Sequence, residues 1–401
     1  MNKRIFINIH YLEIGGAERA LLGLLSTLDP NKVDVDLFVN QHTGDFMSLI
    51  PNYVNLLPEV PEYTCIERSI KDIVKEGHVG IALRRLWAKY KHWNYVRRLT
   101  AVQRQMDISV FQYVAVALNS TLPSLKYLGE YDLAISFLQP HNFVLDKVWA
   151  KKKICWIHTD YSTIHVNHDQ ELPVWNGFDY VASISENCTT AFLQTFPELK
   201  DNIVLIENIL SPTFVRQQAE LEDVSLEMPV IEGETKILTI GRFSFPKKIE
   251  GIPHLCSIMR EQGIRFKWYI IGYGPDELIR ENIIKYDVGE CMIILGKKTN
   301  PYPYIKACDI YVQPSRYEGK AVTVREAQML YKPVVITNFP TAHSQLTDGI
   351  DGVIVPMEDD LCAKGIADVI RNQNLQEMLS SYLKSHDYGN EQEVEKIYKL
   401  I

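Results

Sequence analysis

The sequence predicts an α/β protein with two doubly wound, Rossmann-like domains that face a central cleft. The chain has 401 residues, short apolar runs alternate with helical patterns, and this alternation restarts in the second half. A chain of this length suits two domains of about 150–200 residues each. Strand-like runs separated by helical segments are typical of βα units around a parallel sheet. Two rounds of alternation therefore predict two such domains.

The predicted elements follow this order along the chain. In the first half, we expect helices at 17–28 and at 186–196, the second with Ser185 as its N-cap. The first-half strands are predicted at 4–10, 33–39, 132–138, 153–158 and 178–184. The second-half strands are predicted at 236–241, 266–272, 292–296, 309–313, 334–337 and 352–355.

The domain boundary is predicted within 207–234, a segment with two prolines, many charges and no sustained apolar periodicity. We therefore expect an N-terminal, acceptor-side domain at 1–207 and a nucleotide-sugar-binding domain at 208–385. The last residues, 386–401, are predicted to form a helix that packs back on the N-terminal domain.

Composition excludes several classes of protein. Hydrophobic residues make up 46% and charged residues 23%, as in soluble globular proteins. The formal net charge of −8 argues against a nucleic-acid-binding protein, which needs a basic surface. The seven scattered cysteines indicate reduced thiols in a cytoplasmic protein. No cysteine or histidine cluster has metal-ligand spacing, so neither a metal nor another cofactor is expected.

The segment 317–327 is the most informative one. It follows the predicted strand 309–313, opens a helix, and carries Glu318 and Glu326 on either side of its start. The glycine at 319 would let backbone N–H groups approach an anion that the helix dipole also favours. Carboxylates are good acceptors for sugar and ribose hydroxyls. The alternative is a solvated helix with two surface glutamates.

A second segment, 241–248, places cations directly after the predicted strand 236–241. Arg242 and Lys247 stand five residues apart. Open α/β sheets bind ligands at the carboxyl ends of their strands, so these cations could neutralise a diphosphate. The alternative is a basic surface turn.

Two glycine-containing turns also follow predicted strands. Gly272 and Gly274 follow the strand 266–272, and Gly15 and Gly16 follow the first strand. Glycine-rich turns are common, and each of these could be purely structural.

Taken together and in this order, these segments resemble the family 4 glycosyltransferases, which have the GT-B fold. The resemblance covers almost the whole chain and is most specific in 236–357. The matching pieces are GGAER, GRFSFPKK, IGYGP, LGKKTNPYPYIKACDIYVQPSRYEGKAVTVREA and KPVVITNFPTAHSQLTDGIDGVIVP.

The resemblance implies a role for each matching residue. Glu318 would lie near the transferred sugar, Glu326 would bind the ribose, and Arg242 and Lys247 would bind the diphosphate. His158 would contact the donor sugar or the reacting centre, with His141 as a competing candidate. The remaining positions expected on the donor side are Gly15, Gly16, Gly272, Gly274, Gly319, Lys320, Ala321 and Val322. Lys320 and Ala321 depart from the family, which often has an aromatic residue and then glycine or proline there.

The resemblance also implies retaining transfer of a hexose-type sugar from a nucleotide-diphosphate donor, which we expect to be a UDP-sugar. The acceptor would be a hydroxyl of a saccharide or lipid-linked saccharide in capsule, exopolysaccharide or lipopolysaccharide synthesis. Two alternatives are a GT-B sugar-nucleotide epimerase and a non-catalytic scaffold subunit of a polysaccharide-assembly complex. The paired glutamates favour transfer over the first, and the intact acidic and basic pairs argue against the second.

The segment 84–104 is strongly basic and aromatic. It carries seven lysine and arginine residues and no acid, with Trp87, Tyr90, Trp93 and Tyr95 interleaved. This composition suits contact with an anionic membrane surface, which would place the protein on the inner face of the plasma membrane. The alternative is a helix whose aromatic residues pack on the N-terminal domain.

Overall fold

The computed structural model describes residues 2–318 and 321–401. The chain separates into two compact units, unit 1 being Met1–Leu210 with Asn390–Ile401, and unit 2 being Ser211–Gly389. The predicted divisions at 207/208 and 385/386 differ from these limits by a few residues.

Unit 1 is built on a seven-stranded sheet with strand order β3-β2-β1-β4-β5-β6-β7. Every pair of neighbouring strands is parallel. The central strands are buried on both faces because helices cover the sheet, which explains their nearly continuous apolar sequences. The strands are β1 Lys3–Ile9, β2 Val33–Val39, β3 Asn55–Leu56, β4 Tyr131–Ser136, β5 Ala150–Ile157, β6 Tyr180–Ser183 and β7 Ile203–Leu205.

The helices of unit 1 include an additional layer between β3 and β4. This layer contains the long helix α4 and helix α6, which packs along it. The helices are α1 Gly16–Thr27, α2 Pro61–Thr64, α3 Ile70–Lys75, α4 Val79–Val96, α5 Ala101–Met106, α6 Val110–Asn119, α7 Asn142–Lys147, α8 His168–Trp175 and α9 Glu186–Thr195.

Unit 2 repeats the architecture with a six-stranded parallel sheet of order β10-β9-β8-β11-β12-β13. Its strands are β8 Thr235–Ile240, β9 Phe266–Ile271, β10 Met292–Gly296, β11 Ile310–Gln313, β12 Val334–Thr337 and β13 Val353–Val355. Its helices are α10 Pro212–Gln218, α11 Ile252–Glu261, α12 Glu277–Lys285, α13 Tyr302–Ala307, α14 Val322–Met329, α15 Ala342–Gln345, α16 Asp359–Arg371 and α17 Gln373–Ser385.

The last residues of the chain return to unit 1. Helix α18, Val394–Tyr398, buries Ile397, and the Tyr398 hydroxyl accepts a hydrogen bond of 2.7 Å from the Asp29 amide. The Asn390 side chain accepts a bond of 2.7 Å from the Leu210 amide. These contacts fix the C-terminal segment beside the end of the first βα series.

The predicted fold class is confirmed, and each predicted strand is present within a few residues of its predicted bounds. The strands β3 and β7 were missed because edge strands of two or three residues are too short to show a pattern. Helix α10 lies in the segment predicted to be an irregular linker. It is stabilised by its Ser211 cap and by burial of Phe214 and Val215, which local periodicity did not reveal.

Each sheet has a point where the strand order reverses, between β1 and β4 in unit 1 and between β8 and β11 in unit 2. Loops leaving the two strands at such a point diverge and leave room for a ligand at the carboxyl edge. The loops that carry the sequence-predicted residues 241–248 and 314–318 leave β8 and β11 at this point.

Candidate active site

Lys247 and Glu318 meet at the strand reversal of unit 2. Lys247 lies in the basic loop, residues 241–248 after β8, and Glu318 lies in the acidic loop, residues 314–318 after β11. Lys247 Nζ is 2.6 Å from Glu318 Oε1, and both side chains are largely buried. Of the two acids and two cations predicted for this site, the structure brings Lys247 and Glu318 into contact.

A chain of buried hydrogen bonds orients Glu318. Its Oε1 accepts a bond of 2.6 Å from Ser315 Oγ, which accepts one of 2.9 Å from Gln313 Nε2. The Tyr311 hydroxyl donates to Gln313 Oε1 at 2.8 Å, and Thr341 Oγ1 donates to the Glu318 carbonyl at 2.7 Å. The carboxylate is thus held in one orientation by side chains that leave the end of β11.

Arg316 joins the two loops and was not identified from the sequence. Its amide donates to the Pro246 carbonyl at 2.7 Å and its guanidinium to the Phe245 carbonyl at 2.6 Å. The same guanidinium is 2.6 Å from Glu250 Oε1. No local pattern distinguishes this arginine from a surface one, because its partners are mostly backbone carbonyls about 70 residues away.

The adjacent lysines of the basic loop have different roles. Lys248 has φ of 54°, and its Nζ bonds Asp359 at 2.7 Å and the Met357 carbonyl at 2.9 Å. It therefore anchors the loop to the start of α16, while Lys247 points to Glu318. The Arg242 guanidinium is exposed and has no ion pair with any residue in 2–318 or 321–401. Arg242 and Lys247 are thus the cations of this loop that an anion could contact.

Gly272 and Gly274 hold the basic loop close to the sheet. A Cβ on Gly272 would overlap the Gly241 carbonyl oxygen and would lie 2.9 Å from Phe243 Cε1. A Cβ on Gly274, whose φ is 133°, would lie 2.9 Å from the Phe243 carbonyl oxygen. A side chain at either glycine would therefore collide with protein atoms. The observed role of both glycines is to allow this close packing.

Glu326 is deeply buried on the first turns of α14. It is 1% exposed, and its Oε1 accepts a hydrogen bond of 2.9 Å from the Tyr302 hydroxyl. The Ala321 amide, one of the predicted phosphate donors, bonds Gln345 Oε1 at 2.8 Å. That bond must break before this amide can bind a phosphate. Val322 begins the helix, whereas Gly319 and Lys320 lie outside the described residues.

The remaining predicted residues belong to unit 1. His158 follows β5, and its ring lies 4.7 Å from that of Phe137. Its Nε2 is buried and has no hydrogen-bond partner among the described residues, and this desolvation lowers the pKa of His158 to about 3. His141, the competing candidate, lies in the core, with its ring nitrogen Nδ1 2.8 Å from Ser136 Oγ. Burial lowers the pKa of His141 well below its usual value.

The glycine pair after β1 opens helix α1. A Cβ on Gly15 would overlap the Glu18 carboxylate, whereas a Cβ on Gly16 would meet nothing within 4 Å. Burial is the main cause that raises the pKa of Glu18. Gly15 therefore makes room for a buried acid, and only Gly16 leaves open space beside the backbone.

The neutral state of His158 predicts that the protein loses stability in acid. Its pKa is about 3 when folded, against an ordinary value of 6.5, so the unfolded chain binds more protons between these values. Stability should therefore fall as the pH drops from about 6.5 towards 3, by about 1 kcal/mol per pH unit for this residue. Urea unfolding of wild type and His158→Phe at several pH values measures this slope. Identical slopes for the two proteins would contradict the assignment.

The segment 84–104 is not one exposed helix. It spans most of α4 and the first four residues of α5, and these two helices are separated by residues 97–100. Arg85 and Tyr95 pack on unit 1, so they do not belong to the membrane-facing surface that the composition of 84–104 suggests. Arg85 is buried and donates to the Cys65 carbonyl at 2.9 Å, and the Tyr95 hydroxyl lies 2.9 Å from His165 Nε2. One face of α4 therefore packs on unit 1.

The other face of α4 carries an exposed apolar stripe. We call it the aromatic stripe, and its residues follow helical spacing, so they lie on one side of the helix. The rings of Trp87 and Tyr90 stack at 5.7 Å, and those of Tyr90 and Trp93 at 6.2 Å. Arg97 lies 4.6 Å from the Trp93 ring. The aromatic stripe consists of Leu83, Leu86, Trp87, Tyr90 and Trp93.

No helix within the described residues is long and apolar enough to cross a membrane. No group of three or more histidine, cysteine, aspartate or glutamate side chains in 2–318 and 321–401 is arranged to hold a metal ion.

The sequence has recognisable relatives. Residues 227–386 match the family model described as glycosyl transferases group 1. The chain is 21% identical over 191 residues to the alpha-monoglucosyldiacylglycerol synthase of Streptococcus pneumoniae, covering 45% of this chain and 43% of the relative. It is 27% identical over 133 residues to the amylovoran biosynthesis glycosyltransferase AmsK of Erwinia amylovora, covering 31% and 33%. The chain thus matches less than half the length of these curated relatives.

Solved structures resemble the whole chain. Staphylococcus aureus TarM, solved as a mutant in complex with UDP and saccharide ligands, has a TM-score of 0.64 at 14% identity and covers 99% of both chains. Anabaena HepE, solved with UDP and glucose, has a TM-score of 0.61 at 14% identity and also covers 99% of both. The chain therefore has the GT-B fold, and its residues 227–386 match the group 1 glycosyl transferase family.

Proposed function

We propose that this protein is a retaining glycosyltransferase that moves a hexose-type sugar from a UDP-sugar to a hydroxyl of a saccharide or lipid-linked saccharide in cell-surface polysaccharide synthesis. The observation that carries the proposal is the contact of Lys247 with Glu318 at the strand reversal of unit 2. The loop of Lys247 also carries Arg242, which has no ion pair with the described residues. The named relatives act in polysaccharide and glycolipid synthesis, and several solved neighbours contain UDP.

The chemistry would be front-face transfer. The bond between the sugar C1 and the diphosphate oxygen breaks, and the acceptor oxygen bonds C1 from the same face. The acceptor proton passes to the departing phosphate, so no protein base is needed. Lys247 has three N–H groups and uses one for Glu318, which leaves two for phosphate oxygens. Arg242 and Lys247 would stabilise the charge that grows on the leaving diphosphate.

Glu318 would have two tasks in this mechanism. It orients Lys247, and the free lone pairs of its carboxylate would accept hydrogen bonds from the donor sugar. Glu326 would bind the ribose hydroxyls only after its bond with Tyr302 is exchanged or shared. His158 is the group of unit 1 proposed to contact the donor sugar or the reacting centre, where donor and acceptor meet, as a neutral ring.

The proposal is tested by incubating the protein with UDP-, GDP- and ADP-sugars in the absence of an acceptor. Slow release of free sugar and nucleoside diphosphate from at least one donor is expected, because water can replace the acceptor. A scaffold subunit would leave all donors intact. An epimerase would change the sugar while it remains attached to the nucleotide, or would release it with altered stereochemistry.

We also propose that the protein docks on the anionic inner face of the plasma membrane through the aromatic stripe. Aromatic rings suit the membrane interface, and cations beside them suit anionic head groups. Lys91 lies 5.3 Å from the Trp87 ring, and Arg97 flanks the other end of the stripe. Membrane docking would bring the protein to a lipid-linked acceptor.

Removal of two exposed rings should abolish most membrane binding. The double variant Trp87→Ala/Trp93→Ala is expected to bind phosphatidylglycerol-containing vesicles on the order of 10-fold to 100-fold more weakly, because each ring loses its buried apolar area. Co-sedimentation at two salt concentrations measures this. The matched control is Trp149→Ala, which removes an equally exposed tryptophan outside the stripe. Equal losses in both variants would count against docking through α4.

A further inference from the structure

Unit 1 contains a cavity of 230 Å³ at the carboxyl edge of its sheet. Its walls include residues that follow three neighbouring strands, namely Tyr11 after β1, Gln139 after β4 and His158 after β5. Helices α6 and α8 supply the opposite side, with Phe111 and Glu171. The cavity therefore lies at the strand reversal of unit 1, where open α/β sheets bind ligands.

A buried carboxylate stands on the wall of this cavity. Glu171 is 4% exposed, and its Oε2 accepts hydrogen bonds from the Tyr161 hydroxyl at 3.1 Å, Gln139 Nε2 at 3.2 Å and Trp175 Nε1 at 3.2 Å. These three bonds all go to one oxygen. A buried carboxylate is costly unless it is hydrogen-bonded, and these three bonds offset that cost and hold Glu171 in a fixed position.

The charge of the cavity wall has one sign. Glu67 and Glu171 are the ionisable acids that line it, and none of its described lining residues is lysine or arginine. The Oε1 atom of Glu67 lies 2.7 Å from His10 Nδ1. Burial lowers the pKa of His158 to about 3, so its ring adds no positive charge to the wall. An anionic group in this cavity would thus lose its hydration beside acidic side chains, with no lysine or arginine among the described lining residues to pair with it.

The remaining wall suits the apolar faces of sugar rings. Trp156 and Trp175 are largely buried in the cavity wall, whereas the more exposed rings of Tyr11 and Phe111 can pack on C–H groups. The His158 Nε2 atom, which is buried without a hydrogen-bond partner in the described part of the chain, and the Gln112 side chain add hydrogen-bonding capacity. Hydroxyl groups can satisfy all of these atoms, because a hydroxyl both donates and accepts.

We infer that this cavity binds the acceptor of the proposed transfer reaction, and that the acceptor is a neutral, hydroxyl-rich glycosyl group and not a uronic acid or a phosphorylated sugar. The identification of the ligand as an acceptor rests on the proposed function, whereas the preference for neutral ligands rests on the cavity alone. Discrimination would come from repulsion of the wrong ligand by Glu67 and Glu171 as much as from attraction of the right one.

Ligand-observed NMR tests this preference without requiring turnover. The full-length protein with UDP is titrated with two matched pairs, methyl glucoside with methyl glucuronide, and methyl galactoside with methyl galacturonide. The neutral member of at least one pair is expected to bind 10-fold or more tightly than its acid. Equal or tighter binding of the acids, or no binding of either neutral glycoside, would overturn the inference.

Two variants locate the selectivity in the cavity. Phe111→Lys adds a cation at a rim position that is 57% exposed, and should shift the acid-to-neutral binding ratio about 10-fold towards the acid. Val102→Lys makes the same kind of change at a position on α5 that is 67% exposed and does not line the cavity, and should leave the ratio as in wild type. Glu171→Gln should shift the ratio in the same direction as Phe111→Lys. An unchanged ratio in Phe111→Lys would place the ligand elsewhere.

Failure of the proposed transferase activity and failure of the cavity assignment give different results. If wild type hydrolyses no nucleotide sugar but still prefers neutral glycosides, the proposed transferase activity fails while the cavity assignment stands. If it hydrolyses a donor but binds the acids as well as the neutral glycosides, only the assignment of the cavity fails.

Discussion

Replacement of Lys247 by alanine is expected to lower the turnover number of sugar transfer by about 100-fold to 1000-fold, with a much smaller effect on donor affinity. In the ground state the diphosphate charge is shared with Arg242 and with solvent. In the transition state the leaving group gains negative charge, so a fixed cation beside it stabilises it more strongly than in the ground state. The Glu318 carboxylate holds Lys247 Nζ at 2.6 Å, so the cation is in position before the reaction begins.

The measurement is kcat from single-turnover transfer and Kd from a titration with the UDP-sugar. Lys248→Ala is the matched control, because it removes the neighbouring lysine, which bonds Asp359 and the Met357 carbonyl. That variant should lose about 1 kcal/mol of unfolding free energy, or roughly 2–4 °C in Tm, and keep more of its turnover. If Lys247→Ala weakens donor affinity and leaves turnover unchanged, Lys247 acts in ground-state binding and not in the transition state.

The difference between the adjacent lysines illustrates what the sequence could and could not predict. The basic and acidic loops were predicted because their residues directly follow apolar strands, and the carboxyl ends of parallel strands share one edge. The contact of Lys247 with Glu318 follows from that topology. The direction of Lys248 depends on its left-handed backbone and on Asp359, 111 residues later, and no local pattern contains this information.

Helix α4 is a second example of structural information that the composition of a segment does not contain. Its composition indicated a basic, aromatic surface, and the aromatic stripe is indeed exposed. Composition did not reveal which arginine faces the core. Arg85 follows Ile81 and Ala82 by one helical turn and precedes Ala88 by three residues, so it belongs to the buried face. Helical spacing applied residue by residue would have separated Arg85 from Arg84, whereas treating 84–104 as one unit did not.

The second large effect is expected at the glycines that follow β9, where a substitution should reduce both stability and activity. Replacement of Gly272 by alanine is expected to destabilise unit 2 by about 3 kcal/mol and to abolish most activity. The new Cβ would overlap the Gly241 carbonyl oxygen. The loop cannot shift without loss of bonds, because the Gly241 amide donates to Ile271 at 3.0 Å and the Phe243 amide to Tyr273 at 2.8 Å. Displacement of this loop would move Arg242 and Lys247 away from Glu318.

Gly289→Ala is the control for this variant, since a Cβ there would meet only Ile283 Cγ2, at an ordinary 3.7 Å. Urea unfolding and donor hydrolysis are measured for both variants. A glycine that served only to admit a phosphate would give a different result for Gly272→Ala, with a normal unfolding free energy and weakened donor binding. Loss of both stability and activity would instead show that the Gly-x-Gly turn, which the sequence suggested as part of the donor site, acts by allowing two protein loops to approach. The positions of Arg242 and Lys247 would then depend on the close backbone approach of Gly272 to Gly241, in which neither cation takes part.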